Sequence, residues 1–402
     1  METAILDRLA EGSAEAVFGA LHTQRFAHIQ GGLGALQDRF GWADINALTS
    51  HHQFHKPRLR FAHQELSAAE LAAAHKLTVT RRRSLAEIIQ SEAVHGLMRQ
   101  GATLIIDSVE AAHPLIRDLT DALARRHGVR FRANFYGALG HHPGFGLHWD
   151  PHDVVIAQFE GPKHWKVWAP TRDAPLKNDP VAPPKPSGPP IFDQVIDSGD
   201  LLVVPRGYWH EVLALDRPSV HLTLGTSPFT GRDLLTFLID EALSEHAVLR
   251  RDVPLNGPPS EQAAVMEALR GALDAALNGQ SVADILARKQ ALDEPQPQVS
   301  LPWGALEHTP DYSSVRFRWR PVFDPLIERS NAGIIVRTMA KRLTLAAVTQ
   351  PVVETFAARR RLSLQEVQDL LPSSVTRSQA ADMLHVLVRE AVLAVEPGSE
   401  KS

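Results

Sequence analysis

The sequence predicts an α+β chain: helices first, an antiparallel β-sandwich or barrel in the middle, then helices with a few strands. Three observations carry this. From about residue 102 to 225 short β-branched or aromatic runs recur, punctuated by Gly, Pro and Asp, with no long helical pattern between them. Before this stretch and after Thr230, apolar residues instead fall at helical spacing. The last sixty or so residues read helix, short helix, helix, strand, the order of elements in a winged helix.

Taken in order, S-A-A-E at 67–70 and S-L-A-E at 84–87 match the capping box, in which Ser and Glu satisfy each other's orphan amides at a helix start. Leu85, Ile88, Ile89 and Val94 follow the second box at near-helical spacing, so a helix is expected there. A further helix is expected over 115–126, ended by Gly128. Strands are expected at 103–106, 131–136, 154–159, 165–168, 201–204, 212–215 and 220–224. The connection 169–190 holds eight prolines, which cannot sit in a central strand, so it is a surface loop or a lid. Helices follow at 233–247, 261–277 and 282–290, the first with a broad apolar face (Leu234, Leu235, Leu238, Ile239, Ala242, Leu243) that must pack on something. Residues 293–302 read as a linker, and 315–319 and 334–337 as strands. A helix at 352–358, capping boxes at Ser363–Glu366 and Thr376–Gln379, and a strand at 392–395 complete the winged-helix pattern. The expected domains are 1–228, 229–295 and 296–402.

At 402 residues the chain has room for two or three domains of roughly 150 residues each. It contains no cysteine, which excludes disulfide scaffolds, Cys-ligated zinc, iron–sulfur clusters and thiol catalysis. Any transition metal must therefore be held by carboxylates and some of the 20 histidines. With 42 Lys/Arg against 46 Asp/Glu the net charge is −4, which argues against nucleic acid as the main partner. Residues 340–402 carry eight Lys/Arg against seven Asp/Glu, and their only basic run is Arg359-Arg360-Arg361. A groove-binding domain shows a stronger basic face, so protein interaction is the favoured reading of this region over DNA binding. The N-terminus lacks a basic, then apolar, leader, and the longest apolar stretches fall far short of the ~20 residues of a membrane span. A cytoplasmic protein is expected.

The sharpest motif is G-L-H-W-D-P-H-D at 146–153. On an extended segment His148 and Asp150 point to one face, supplying two of the three ligands of a 2-His-1-carboxylate iron(II) site. The third ligand must be a distant His. D-S-G-D-L-L-V-V-P-R-G-Y-W-H at 197–210 offers one: a tight turn, a buried strand, a second turn and His210 at its exit. Taken singly, His148 reads as a hydrogen-bonded turn histidine, and His152 and Asp153 compete as ligands. Ser219, His221 and Thr223 alternate along one strand and so share a face. Trp165 and Trp168 read as core residues. His141 and His142, in a Gly-rich turn, read as solvated loop residues that could meet a substrate.

The combination His148-x-Asp150, Gln158-x-x-Gly161-x-Lys163-x-Trp165, Gly199-Asp200…Pro205-Arg206-Gly207…His210 and Ser219-x-His221-x-Thr223 resembles the JmjC/cupin class of iron(II)- and 2-oxoglutarate-dependent oxygenases. It is similar in particular to the ribosomal-oxygenase branch. The specific motifs span about 134–225, and the order of elements extends the likeness over nearly the whole chain. The resemblance implies a double-stranded β-helix (cupin jelly roll), followed by a helical dimerisation region and a C-terminal winged helix that is architectural. It implies Fe(II) on His148, Asp150 and His210, with 2-oxoglutarate and O2 as cosubstrates. Lys163 would anchor the distal carboxylate of 2-oxoglutarate, or else be an exposed strand lysine. Asn134 and Tyr136 would hydrogen-bond the cosubstrate, although a core Tyr is the plainer reading of Tyr136. Ser219, His221 and Thr223 would stand behind the ligands. The implied reaction is hydroxylation of a side chain in a protein, an Arg or His of a ribosomal protein, by a homodimer. The rivals are the same chemistry on a biosynthetic peptide or free amino acid, and a non-catalytic cupin scaffold or regulator.

Overall fold

Period-2 burial in the middle of the chain produces two antiparallel sheets. The computed structural model describes residues 3–52, 54–79, 85–140, 142, 144–242 and 245–397. It separates into two compact units, Met1–Pro228 and Phe229–Ser402.

The strands of the first unit are β1 (Ala27–Ile29), β2 (Leu59–Ala62), β3 (His75–Val79), β4 (Leu85–Ile89), β5 (Thr103–Ile106), β6 (Phe131–Ala138), β7 (His148–Trp149), β8 (Asp153–Glu160), β9 (Lys163–Trp168), β10 (Phe192–Ile196), β11 (Leu201–Val204), β12 (Trp209–Ala214) and β13 (Ser219–Thr226). A seven-stranded sheet runs β1-β11-β8-β13-β6-β5-β2 and a four-stranded one β10-β9-β12-β7, every pairing antiparallel. Val154, Ile156, Leu202 and Val204 from the large sheet meet Trp165, Val167, Phe192 and Ile196 from the small one in a shared core. Sheets joined this way form the expected jelly roll. All but the last residue of β8 is buried, because neighbouring segments cover its second face as well.

Helices α1 (Thr3–Leu6), α2 (Ser13–Thr23), α3 (Trp42–His51), α4 (Ala68–Ala72), α5 (Ser91–Arg99) and α6 (Pro114–His127) complete this unit. The Ser67–Glu70 capping box forms and opens α4. Gly128, at φ 89°, ends α6. The expected helix after residue 84 is instead β4, paired with β3, and Val94 belongs to the separate helix α5; Ser84 itself lies outside the described residues. Leu85, Ile88 and Ile89 fit either period over so short a run, and pairing with β3 decides for strand.

In the second unit α7 (Gly231–Ala242), α8 (Pro259–Leu277) and α9 (Val282–Ala291) follow the expected order. The apolar face of α7 is only half covered: Leu238 and Ala242 are buried and Leu235 and Ile239 exposed, while Leu243 lies outside the described residues. Strands β14 (Val315–Trp319), β15 (Leu326–Ser330), β16 (Gly333–Thr338), β17 (Lys341–Leu345), β18 (Arg361–Ser363) and β19 (Leu393–Pro397) alternate with α10 (Gln350–Arg359), α11 (Leu364–Asp369) and α12 (Arg377–Arg389). Both C-terminal capping boxes form. Phe317, Trp319, Ile334, Val336, Phe356 and Leu384 share one core across these strands and helices.

The basic run 359–361 is used internally. Arg359 pairs with Glu366 (2.5 Å), buried Arg360 donates to the carbonyls of Ala357 and Pro321, and Arg361 pairs with Glu396 (2.9 Å). No helix among the described residues is long and apolar enough to cross a membrane.

Candidate active site

Antiparallel pairing of β7 with β12 sets His148 directly opposite His210, which brings two distant motifs to one point. Asp150 follows β7 immediately, and its carbonyl accepts the Gly207 N–H (3.0 Å). Gly207, at φ 86° in the turn between β11 and β12, takes a conformation that side chains disfavour. Its Cβ would also stand 2.7 Å from Pro175. The G-x-x-H spacing is thus the spacing of a turn that ties one ligand to the strand of another.

The ring nitrogens settle which atoms face inward. His148 Nδ1 lies 2.8 Å from the Gly146 carbonyl and His210 Nδ1 3.2 Å from that of Tyr208. A carbonyl only accepts, so each Nδ1 carries the proton and each Nε2 keeps its lone pair. Donor atoms of His148, Asp150 and His210 lie within 4.8 Å of one another, with His210 Nε2 3.6 Å from Asp150 Oδ2. Burial and the adjacent His148 ring (centroids 4.2 Å apart) push His210 down to about 4, so it is neutral. Two imidazole lone pairs and a carboxylate facing one another fit a divalent cation, and this donor set on one face is that of non-haem iron(II).

Of the competing ligands, Asp153 is engaged elsewhere, accepting from Arg206 N–H (2.8 Å) and Gln24 (3.1 Å), while His152 lines the same cavity but is not part of the donor cluster. Asp200 is a brace rather than a site residue, accepting from Gly31 N–H (2.8 Å) and pairing with His28 (3.0 Å).

The three residues line a cavity of about 320 Å³ walled by both sheets. Lys163 also lines it, 2% exposed, and donates to the Tyr136 carbonyl (3.2 Å) and to His221 Nδ1 (2.7 Å). Burial without a carboxylate partner among the described residues pushes its pKa down from 10.5 to about 7. The turn that delivers Lys163 depends on Gly161 (φ 64°), whose carbonyl accepts from the buried Gln158 amide (2.7 Å).

Asn134, Tyr136 and Thr223 line the same cavity, paired across β6 and β13 as Asn134↔Thr223 and Tyr136↔His221. Asn134 accepts from Ser108 N–H (3.1 Å) and hydrogen-bonds Tyr136, whose hydroxyl burial pushes up to about 12. Ser219 is buried outside the cavity lining, its hydroxyl without a partner among the described residues.

Several residues differ from expectation. Trp165 is buried, but its ring also lines the cavity and packs on His210 (5.9 Å) and His221 (5.8 Å). Its place two residues after Lys163 on one strand face carried that signal. Trp168 faces away and donates to Gly188 O in the proline-rich connection. That connection is pinned to β12, with Thr171 accepting from Trp209 Nε1 (3.0 Å), and none of it lines the cavity. His142 is an exposed loop residue, as expected, and it also lines the cavity and packs on His63 (4.9 Å); His141 lies outside the described residues. Arg60, paired with Asp107 (3.2 Å), and Phe145 also line the cavity, and no linear motif marks them. A larger cavity of about 740 Å³, bounded by Trp42, Ile45, Phe54, Met98 and Leu104, does not contain this donor set.

Comparison with known proteins places a JmjC domain over residues 112–234. The bifunctional lysine-specific demethylase and histidyl-hydroxylase NO66 of Brugia malayi is 32% identical over 171 residues, 40% of this chain and 23% of that protein. Ribosomal oxygenase 1 of Bos taurus is 29% identical over 171 residues, 40% of this chain and 26% of that protein. The chain thus spans about a quarter of the length of these curated relatives. Among solved structures, the Escherichia coli ribosomal oxygenase YcfD in complex with cobalt and succinic acid superposes with a TM-score of 0.59 at 18% identity. The match covers 97% of this chain and 99% of that one. YcfD in complex with cobalt and 2-oxoglutarate gives 0.58 at 17% identity, over the same shares.

Proposed function

This chain carries a JmjC domain, and we propose that it is an Fe(II)- and 2-oxoglutarate-dependent oxygenase that hydroxylates a side chain in a protein. One observation carries the reading. Two imidazoles and a carboxylate converge in a cavity that also holds a buried ammonium with no carboxylate partner among the described residues. When bound on His148, Asp150 and His210, Fe(II) would supply the oxidising centre, drawing on O2 and the oxidative decarboxylation of 2-oxoglutarate.

The chain's own residues then have separate tasks. The carbonyls of Gly146 and Tyr208 hold both imidazoles in the ligating tautomer. Lys163 offers a charge-assisted hydrogen bond to the distal carboxylate of the cosubstrate. Asn134 and Tyr136 present polar atoms to the same ligand, while Trp165 keeps water from the imidazoles. The names of the relatives, histidyl-hydroxylase and ribosomal oxygenase, point to a ribosomal protein as substrate and to His as the modified residue, with Arg the alternative that the resemblance implies. We place the protein in the cytoplasm, with 229–295 as a helical dimerisation region and 296–402 as an architectural winged-helix domain. The internal pairing of Arg359, Arg360 and Arg361 supports a protein-interaction role there over DNA binding.

The test is an anaerobic titration of the metal-free protein with Fe(II) and 2-oxoglutarate, following the visible charge-transfer band of the chelated cosubstrate. A band that saturates in the wild type and is lost in His210→Ala is the expected result. A folded wild type that gives no band would overturn the oxygenase reading and favour a non-catalytic scaffold.

A further inference from the structure

Lys163 and His221 come from different sheets, β9 and β13, and meet at 2.7 Å inside the cavity. An ammonium has three N–H bonds. One is accepted by His221 Nδ1 and one by the Tyr136 carbonyl, which leaves a single donor free among the described residues. Both acceptors belong to one cross-strand pair, Tyr136↔His221, so together they fix the direction of that last N–H.

His221 is held for this. Its ring stacks on Tyr136 (4.9 Å, 15°) and meets Trp165 edge-on (5.8 Å, 63°). The β13–β8 register shifts between Val220 and His221, a bulge of the kind that re-aims side chains beside active sites. As an ammonium Lys163 can only donate, so beside it His221 Nδ1 is unprotonated, with the ring proton on Nε2. Burial holds the ring neutral, well below the ordinary 6.5.

We propose that His221 is a positioning residue: it accepts one Lys163 proton through Nδ1 and so aims the remaining ammonium N–H at the distal carboxylate of the 2-oxo acid. This rests on the oxygenase reading above. It makes His221 a determinant of selectivity for dicarboxylic 2-oxo acids over those with no distal carboxylate.

The experiment compares two ligands in the full chain, 2-oxoglutarate and 2-oxobutyrate, each titrated anaerobically against the Fe(II)-loaded protein by its charge-transfer band. His221→Phe keeps an aromatic ring but removes the acceptor, whereas His221→Asn keeps an oxygen near the Nδ1 position. The expected result is a loss of about tenfold or more in 2-oxoglutarate affinity for His221→Phe, the size of one hydrogen bond to a charged group. Affinity for 2-oxobutyrate should be unchanged, and His221→Asn should restore most of the 2-oxoglutarate affinity. Equal losses for both ligands, or no loss, would overturn the positioning role while leaving the oxygenase reading intact. A wild type that binds neither ligand overturns both. If His221→Phe does not fold, the 15N spectrum of histidine-labelled wild type decides, with His221 assigned from its absence in His221→Asn. An unprotonated Nδ1 supports the proposal, and a protonated Nδ1 sinks it.

Discussion

Lys163 illustrates what a binding site costs at the scale of one residue. A 2%-exposed ammonium that among the described residues hydrogen-bonds a neutral imidazole and a carbonyl, and no carboxylate, has lost its hydration without gaining an opposite charge. The penalty has a definite pH signature. With the folded pKa lowered from 10.5 to about 7, the unfolded chain holds a proton that the folded chain lacks anywhere between those values. Stability of the metal-free protein therefore rises with pH through that window, and below it, where both states hold the proton, the Lys163 penalty is present in full and independent of pH. Lys163→Met fills similar space without charge, so it should raise the melting temperature at pH 7. A gain on the order of 1–3 kcal/mol is expected, at about 2–4 °C per kcal/mol. Calorimetry from pH 7 to 10 should show the gap to wild type closing as pH rises, while the variant loses 2-oxoglutarate affinity. A variant less stable than wild type at pH 7 would mean that the ammonium is better solvated than its burial implies.

At the scale of elements, the site depends on turns as much as on strands. Gly161 joins β8 to β9 at φ 64°, and a Cβ there would lie 2.1 Å from the Pro218 carbonyl, a backbone atom with little freedom to withdraw. Gly161→Ala should cost about 2 kcal/mol or more, read as a lower urea midpoint, and should also weaken 2-oxoglutarate binding because Lys163 lies two residues on. Unchanged stability would show that the turn can refold around a side chain. Such turns are what made the ligands legible: H-x-D and the G-x-x-H exit are linear motifs, with each spacing set by local geometry. The seven runs of β-branched and aromatic residues likewise became strands, because burial on a pleated face selects those side chains. What escaped were short or edge strands such as β1, β2 and β10, whose few residues carry little periodicity. Leu85–Ile89 misleads for a related reason: its spacing fits a helix as well as a strand, and its partner β3, not its own pattern, makes it a strand. Arg60 and Phe145 reach the cavity only through sheet topology, which no local pattern records.

At the scale of the whole molecule, the unit Phe229–Ser402 carries apolar surface that it does not itself cover. Scattered exposed apolar residues are ordinary, but a stripe shared by two packed helices is not. Leu235 and Ile239 lie one turn apart on α7, and Met266, Leu273 and Leu277 recur along α8, which packs against α7; all five are at least 37% exposed. Only Ala272 is buried along the 19 residues of α8. A helix that exposes this much apolar surface is stabilised by whatever covers it, and a second copy of the same stripe is self-complementary under a two-fold axis. The chain should therefore sediment as a dimer at micromolar concentration. The double variant Leu235→Glu, Ile239→Glu places two carboxylates per chain, four per dimer, in that contact. At roughly 1.5 kcal/mol for each apolar side chain lost, dissociation should become easier by on the order of 6 kcal/mol, about four powers of ten. The variant should sediment as a monomer while keeping the charge-transfer band, because the metal donors and Lys163 all belong to the unit Met1–Pro228. A wild-type monomer would remove the dimer from the proposal, and a monomeric variant that also lost the band would mean that assembly completes the site.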